Sequence, residues 1–555
     1  MPKDFLKKGI SLLLRQQTNI LSAAFIIMST VILSQILGLI KKRLLINIFG
    51  PTNILGIYDF SSLFPETIFQ ITIAAALASA FIPVFSDYLA KGKNEEAHKM
   101  ASSLLLISLF VLSIFSLIVA IFAPFFLRIF NLGSHFSTEQ MSLMSNLMRI
   151  FMISQLLFTI GTFFSALLQS YNRFFIPGIA AALYNVGMIV GILSLSSSLG
   201  IYAGPIGAVF GALIFVLAQL PFTKKVGFSF KPSFTVILTD GIKKIFKLMW
   251  PRTISIVIFQ LGTLGVASFI SYLPEPGRMN ILYDSAKTLS VAPVLLFGQS
   301  IAQAAFPVLS RQKDNLENFK TTFITSFNQM LYLILPMSII ILVLRIPIVR
   351  LIWGASTFDW QATVLTGRIL AVFALSIFAQ SLITLILRGF YALHDTFTPL
   401  IIGGVSTLIM IITVYLFVVV YHLGIESIAL AYSITSILQI LIFLIFLDKA
   451  VGGFKKIPIL ISLVKFFFAT LFTGFALYVP IKLLDQLVFD TTRTINLLLL
   501  TGISSFTGLS LYIFLTWFFN VKEATTFLLL FKKIGNWREI LGKSDEVIDG
   551  TRIKP

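Results

Sequence analysis

The side chains best placed to do chemistry in this chain are three consecutive cations, Lys41, Lys42 and Arg43. They lie inside an apolar run from about Ile20 to Phe49, with Ser34-Gln35-Ile36-Leu37-Gly38 just ahead of them. At about 1.5 Å of rise per residue, that run crosses a bilayer with some tilt. A cation at the centre of a membrane helix costs about 2.5–3.5 kcal/mol even on the lenient insertion scale, so three in a row need a compensating reason. One reason is snorkelling, in which long stems lift the charges to the headgroups. The other is a water-filled cavity in which the cations hold an anion. Successive residues differ by about 100° around a helix, so the three cannot all face one way. Lys42 shares a face with Gln35, Gly38 and Leu45, and Lys41 lies a third of a turn away. One or two of the three are expected in a cavity. Lys287, deep in a later apolar run, is the next candidate. Arg252 follows Pro251, where a cavity role and interfacial anchoring fit equally well.

These cations need elements to carry them, and the composition says which. The chain has 555 residues, 57% hydrophobic and 12% charged, with a mean hydropathy of +0.95. That is a polytopic membrane protein. Backbone groups in hydrocarbon must be satisfied locally, so the spans are helices, and the short alternating segments of a barrel are absent. The net charge of +19 does not point to nucleic acid, because the basic residues cluster in alternate loops. With no Cys, disulfides and thiolate chemistry are excluded. No phosphate-binding Gly loop, metal-spaced His cluster or nucleophile triad is present, and His98, His135, His394 and His422 lie far apart. An enzyme, a cofactor and a metal are therefore not expected.

Apolar runs predict about fourteen spans, near 20–49, 55–86, 101–131, 142–170, 175–198, 203–223, 249–273, 281–309, 321–352, 362–390, 397–421, 425–447, 461–486 and 495–530. Pro65 and Pro83 are potential kinks in the second. Lys and Arg concentrate in one set of loops, including Lys91 to Lys99, Lys224 to Lys247 and Lys449 to Lys456. That set is expected in the cytoplasm together with both termini.

The chain also repeats itself. Ala78 to Ser86 answers Ala302 to Ser310, and Leu168 to Pro177 answers Leu387 to Pro399. Pro83 pairs with Pro307, Pro124 with Pro347 and Pro177 with Pro399, at offsets near 223. Six spans per repeat is an even number, so the copies enter the membrane the same way round and face each other across a central cavity. The expected fold class is all-α: two pseudo-symmetric six-helix lobes around that cavity, plus two extra helices. The expected divisions are 1–225, 226–450, 451–530 and a basic tail at 531–555.

Several of these segments resemble the MurJ/MviN lipid II flippases of the multidrug/oligosaccharidyl-lipid/polysaccharide exporter superfamily. They are Ser34 to Gly38, Ile48-Phe49-Gly50, Ala80 to Pro83, Leu168 to Pro177, Phe306 to Ser310 and, most specifically, Gly389 to Pro399. The resemblance covers most of residues 20–450 and implies transport of a polyprenyl-pyrophosphate-linked saccharide, lipid II, by alternating access. It implies that the last two spans hold the polyprenyl tail. The chain departs from the family pattern at Gln35 and Gln70, where the family has Arg, and at Lys42, Gly56 and Ala74, where it has an acid. Lys41 keeps a family charge, and Lys287 lies within one residue of another. In such a site the lysines act as point charges on pyrophosphate, Arg grips it bidentately, and Gln35 and Gln70 donate hydrogen bonds. Asp59 and Glu66 are as well explained by the interface as by the cavity. The expected partners are this lipid, membrane lipids and cell-wall synthesis proteins. A flippase for another polyprenyl-linked glycan and a transport-inactive scaffold are the alternatives.

Overall fold

The structure, a computed structural model, describes residues 20–74, 80–130, 132, 136–231, 240–487 and 493–524. All the regular structure among these residues is helical. The helices are α1 Ile20–Phe49, α2 Asn53–Phe69, α3 Ile82–Ala90, α4 Asn94–Ile121, α5 Ala123–Ile129, α6 Thr138–Ser170, α7 Phe175–Leu199, α8 Ala203–Lys225, α9 Asp240–Ile270 and α10 Pro276–Pro293. They continue with α11 Ser300–Arg311, α12 Leu316–Val343, α13 Arg345–Trp353, α14 Trp360–Ala374, α15 Ile377–Ala392, α16 Phe397–Tyr415, α17 Glu426–Ala450, α18 Lys456–Leu487 and α19 Thr494–Phe518. Among the described residues, each of the fourteen expected spans falls on one helix or on two consecutive helices. By length and composition, ten of the described stretches can cross a membrane, or eleven if the pair α14 and α15, bent by 44°, is one span. Phe175–Lys225 is a single stretch in that count, although α7 and α8 pack along each other as two spans.

The repeat is visible in the elements. α4 and α12 are both 28 residues long, starting at Asn94 and Leu316. Each is followed by a short helix, α5 or α13. α2 passes into a π-helical segment at Gln70–Ala74, and α10 into one at Val294–Gln299. Those two segments begin 224 residues apart, at the sequence offset. A π turn holds one residue more than its neighbours and re-aims the helix beyond it.

Helix ends move some expected boundaries. α4 starts at Asn94, with Glu95 and Glu96 in its first turn, where carboxylates oppose the positive end of the helix dipole. The charged loop before it therefore shrinks to a turn at Lys91 and Gly92. α9 starts at Asp240, so Lys243, Lys244 and Lys247 lie on a helix and not in a connector. α19 ends at Phe518, residues 522–524 are helical again, and the expected end at 530 lies outside the described residues. Asn520 adopts φ +51° just beyond Phe518, a left-handed stop that Asn tolerates.

Packing groups the described residues into two compact units. The first runs to Ile281 and takes in Ala355–Asp359 and Val414–His422; the second holds Leu282–Gly354, Trp360–Thr413 and the chain from Leu423 on. In the first unit α7 and α8 meet on glycines. A Cβ built on Gly187 would lie 2.6 Å from the Gly211 Cα, and one on Gly191 would lie 2.5 Å from the Gly207 Cα. Both helices thus carry glycines four apart, which lets their backbones close up without side chains between. In the second unit α18 and α19 dock on α12. Leu477 joins Ile340 and Leu344 in a buried cluster, and the Tyr512 hydroxyl donates to the Tyr332 carbonyl at 3.0 Å. The outward faces of α18 and α19 stay apolar, with Phe467, Phe475 and Phe506 each more than 60% exposed. Such a surface belongs in lipid.

Candidate functional site

α1 packs on α7 along one stripe. The Thr30 side chain meets Gly178, where a Cβ would have no room. The Asn185 amide donates to both the carbonyl and the hydroxyl of Ser34, at 3.2 Å each. Gly38 leaves space opposite the same Asn185. Lys41 is the next residue of that stripe, and its ammonium lies 3.7 Å from the Met188 sulfur. Thr30, Ser34, Gly38 and Lys41 step by four, four and three, which keeps them on one face. Lys41 is therefore half-buried on the packing side of α1, against a thioether that is a weak acceptor and carries no charge.

The carboxylates of Glu66 and Asp59 lie within electrostatic reach of this ammonium, and Lys42 adds a like charge. Asp59 and Glu66 sit seven residues apart on α2, hence on one face of it. Sequence reasoning treated the pair as equally well explained by the interface. Their seven-residue spacing was the available signal. The first unit thus holds a mixed cluster of Lys41, Lys42, Asp59 and Glu66.

The other expected residues scatter. Lys42 is half-buried and Gln35, seven residues before it, is exposed, so the two share a flank of α1. Arg43 is exposed and follows Ile32 and Ile36 by eleven and seven residues. Both isoleucines are exposed as well, so Arg43 projects from the apolar outer face. Gln70 is exposed where the first π segment begins. Arg252 lies on α9, but its side chain is outside the described residues. Lys287 belongs to the second unit. It is half-buried on α10, one turn after the buried Tyr283 and three residues after Asp284. The Tyr283 ring packs against Phe373 with centroids 5.4 Å apart, which fixes that face of α10. No group of three or more metal-ligating side chains occurs among the described residues.

One end of the first unit is tied shut. Asn53 Oδ1 accepts from the backbone N–H groups of Gly277 and Arg278, at 3.0 and 3.3 Å, and so caps the start of α10. A Cβ on Gly56 or on Gly277 would collide with the other segment's backbone. Arg278 Nη2 reaches both oxygens of Asp359, at 3.1 and 2.9 Å. The Thr357 hydroxyl donates to the Ile46 carbonyl at 2.9 Å, at the C-terminal end of α1. Asn53 and Gly277 are 224 residues apart, so equivalent points of the two repeats touch here. A seam between glycine backbones has no side chains to interlock, and these contacts tie it with one ion pair and three hydrogen bonds.

Comparison with known proteins agrees with this fold. A family model described as "Lipid II flippase MurJ" matches residues 45–497. A probable lipid II flippase MurJ of Borreliella burgdorferi is 24% identical over 461 residues, covering 82% of this chain and 88% of that protein. The corresponding protein of Thermotoga maritima is 26% identical over 406 residues, covering 73% and 80%. Among solved structures, a lipid II flippase MurJ in an inward closed conformation superposes with a TM-score of 0.73 at 22% identity, covering 88% of this chain and 98% of that one. An inward-facing multidrug resistance transporter of the MATE family gives 0.63 at 14% identity, covering 78% and 99%. With the family model matching most of its length, the chain belongs to the MurJ family.

Proposed function

We propose that this chain flips lipid II, the lipid-linked peptidoglycan precursor, from the cytoplasmic to the outer leaflet by alternating access. Family membership supports the reading, and the observation that carries it is Lys41. A membrane helix keeps a cation half-buried against a thioether only if some other group compensates the cost. Glu66 and Asp59 supply part of that compensation, and the pyrophosphate of the substrate takes their place on binding. Lys42 and Gln35 line the same flank, and Gln70 donates a hydrogen bond. Lys287 and Arg252 are the remaining cations proposed for the substrate. The exposed Phe and Leu faces of α18 and α19 hold the polyprenyl tail.

The tied end described above is the outer closure in this reading. Both termini and the lysine-rich loops lie in the cytoplasm, as the charge bias requires. The membrane potential is able to act on any moved charge, with about 2.3 kcal/mol per charge per 100 mV. Assembly with cell-wall synthesis proteins follows from such a role.

A second reading, flipping of another polyprenyl-pyrophosphate-linked glycan, is favoured by Gln35 and Lys42, where the family pattern has Arg and an acid. The test is complementation of a strain depleted of its lipid II flippase. Rescue by the parent chain but not by Lys41→Ala or Lys287→Ala is the expected result. No rescue by the parent points to another glycan or to a transport-inactive scaffold, and equal rescue by all three removes both lysines from the mechanism.

A further inference from the structure

The second unit carries a cleft that the transport reading does not use. It has a volume of about 240 Å³ and lies between α12, α17 and α18. Its walls are Phe323 and Phe327 from α12, Leu444 from α17, and Ile459 and Leu463 from α18, with Phe454 from the loop between α17 and α18. At one end the lining turns polar at Asp448 and Lys456. The loop at that end is fixed in shape. Gly452 and Gly453 adopt φ +74° and +90°, and the Phe454 N–H donates to Asp448 Oδ1 at 2.6 Å. Lys456 Nζ lies 3.4 Å from Asp448 Oδ2 and stays 80% exposed. Lys455 is exposed beside it, and the Lys449 ammonium sits 5.9 Å above the Phe446 ring. Three lysines against one aspartate leave this rim positive.

We propose that the cleft binds a phospholipid with an acidic headgroup, one acyl chain lying along Phe327, Leu444 and Leu463 and the phosphate resting on Lys455 and Lys456. The carbon walls exclude a sugar and admit a hydrocarbon chain. The surfaces on either side are apolar and exposed, at Leu441 and Ile445 on α17 and at Ile457 and Leu460 on α18, so the cleft opens to lipid and not to water. Basic pockets between membrane helices, set at headgroup level, select acidic over zwitterionic lipids. The charge is confined to the rim, one turn away from the apolar walls, which matches a phosphate joined to a chain. The binding needs no transport, so it stands or falls separately from the cargo assignment.

The experiment places a tryptophan in the cleft, Ile459→Trp, in the full chain reconstituted in nanodiscs of phosphatidylcholine with phosphatidylglycerol. Quenching by brominated phosphatidylglycerol is compared with quenching by brominated phosphatidylcholine, after subtracting the parent's own tryptophans. A several-fold preference for the glycerol lipid is expected, and Lys455→Gln with Lys456→Gln abolishes it while the melting temperature stays unchanged. Equal quenching by the two lipids in Ile459→Trp overturns the proposal, as does a preference that survives loss of both lysines. Displacement of the brominated lipid by undecaprenyl phosphate at equal concentration overturns it too, since the cleft then belongs to the substrate's tail.

Discussion

Lys41 and Arg43 are two residues apart and meet opposite surroundings, and the helix turn between them decides their roles. Lys41 closes the stripe of Thr30, Ser34 and Gly38 that packs on α7, whereas Arg43 extends the exposed stripe of Ile32 and Ile36. Complementation therefore separates them: Arg43→Gln retains growth, Lys41→Ala loses it, and Lys41→Arg, which keeps the charge, retains most of it. If Arg43→Gln fails while Lys41→Ala grows, the assignment of faces is wrong. At this scale the sequence exposed the cations readily, because charge in an apolar run is rare. Asp59 and Glu66 were harder to place. Sequence reveals that they share a face of α2, but their closeness to Lys41 depends on how α1 and α2 are set, which no local pattern encodes. The Asn185 amide was invisible for the same reason: its partner Ser34 is 151 residues away.

Elements were legible where hydropathy alone defines them and illegible where backbone contact does. Within the described residues all fourteen apolar runs fall on helices, and the proline-marked repeat reappears as matched helix lengths. The glycine contact between α7 and α8 left no separate signal, since glycines four apart are common in membrane helices and the partner helix must be known. Gly187→Leu is expected to cost about 1–3 kcal/mol, the range for forcing side-chain volume into a packed interface, and to lower the melting temperature in detergent. Gly403→Leu is the control, because a Cβ there meets nothing within 4 Å and the melting temperature should hold. Tyr512→Phe removes the hydrogen bond that ties α19 to α12. It should cost about 0.5–1.5 kcal/mol, the usual net worth of one such bond.

For the whole molecule, the lack of cysteine makes topology and closure directly testable. A single Lys91→Cys should react with an impermeant maleimide only in inverted vesicles, and Glu275→Cys only in intact cells; the reverse pattern refutes the charge-based orientation. The tied end can be locked on demand. A Cβ on Gly50 would lie 3.6 Å from the Thr357 Cβ, inside the range for a disulfide. Gly50→Cys carries a cost of about 1–2 kcal/mol for a side chain in the left-handed region, since Gly50 has φ +67°. With Thr357→Cys alongside it, oxidation should stop rescue and a reductant should restore it, whereas each single variant should grow under both conditions. Growth of the oxidised double variant would mean that this end need not open.

The paired π segments give that opening a mechanical form. A stretch wound one residue too loosely is a joint that bends without first breaking its hydrogen bonds. One such stretch directly follows each of the two helices whose starting turns touch at Asn53 and Gly277. Each helix can then work like an oar in a rowlock, its near end held while the far blade swings. Two oars set at matching places would keep the stroke symmetrical even though the cargo and the last two helices are not.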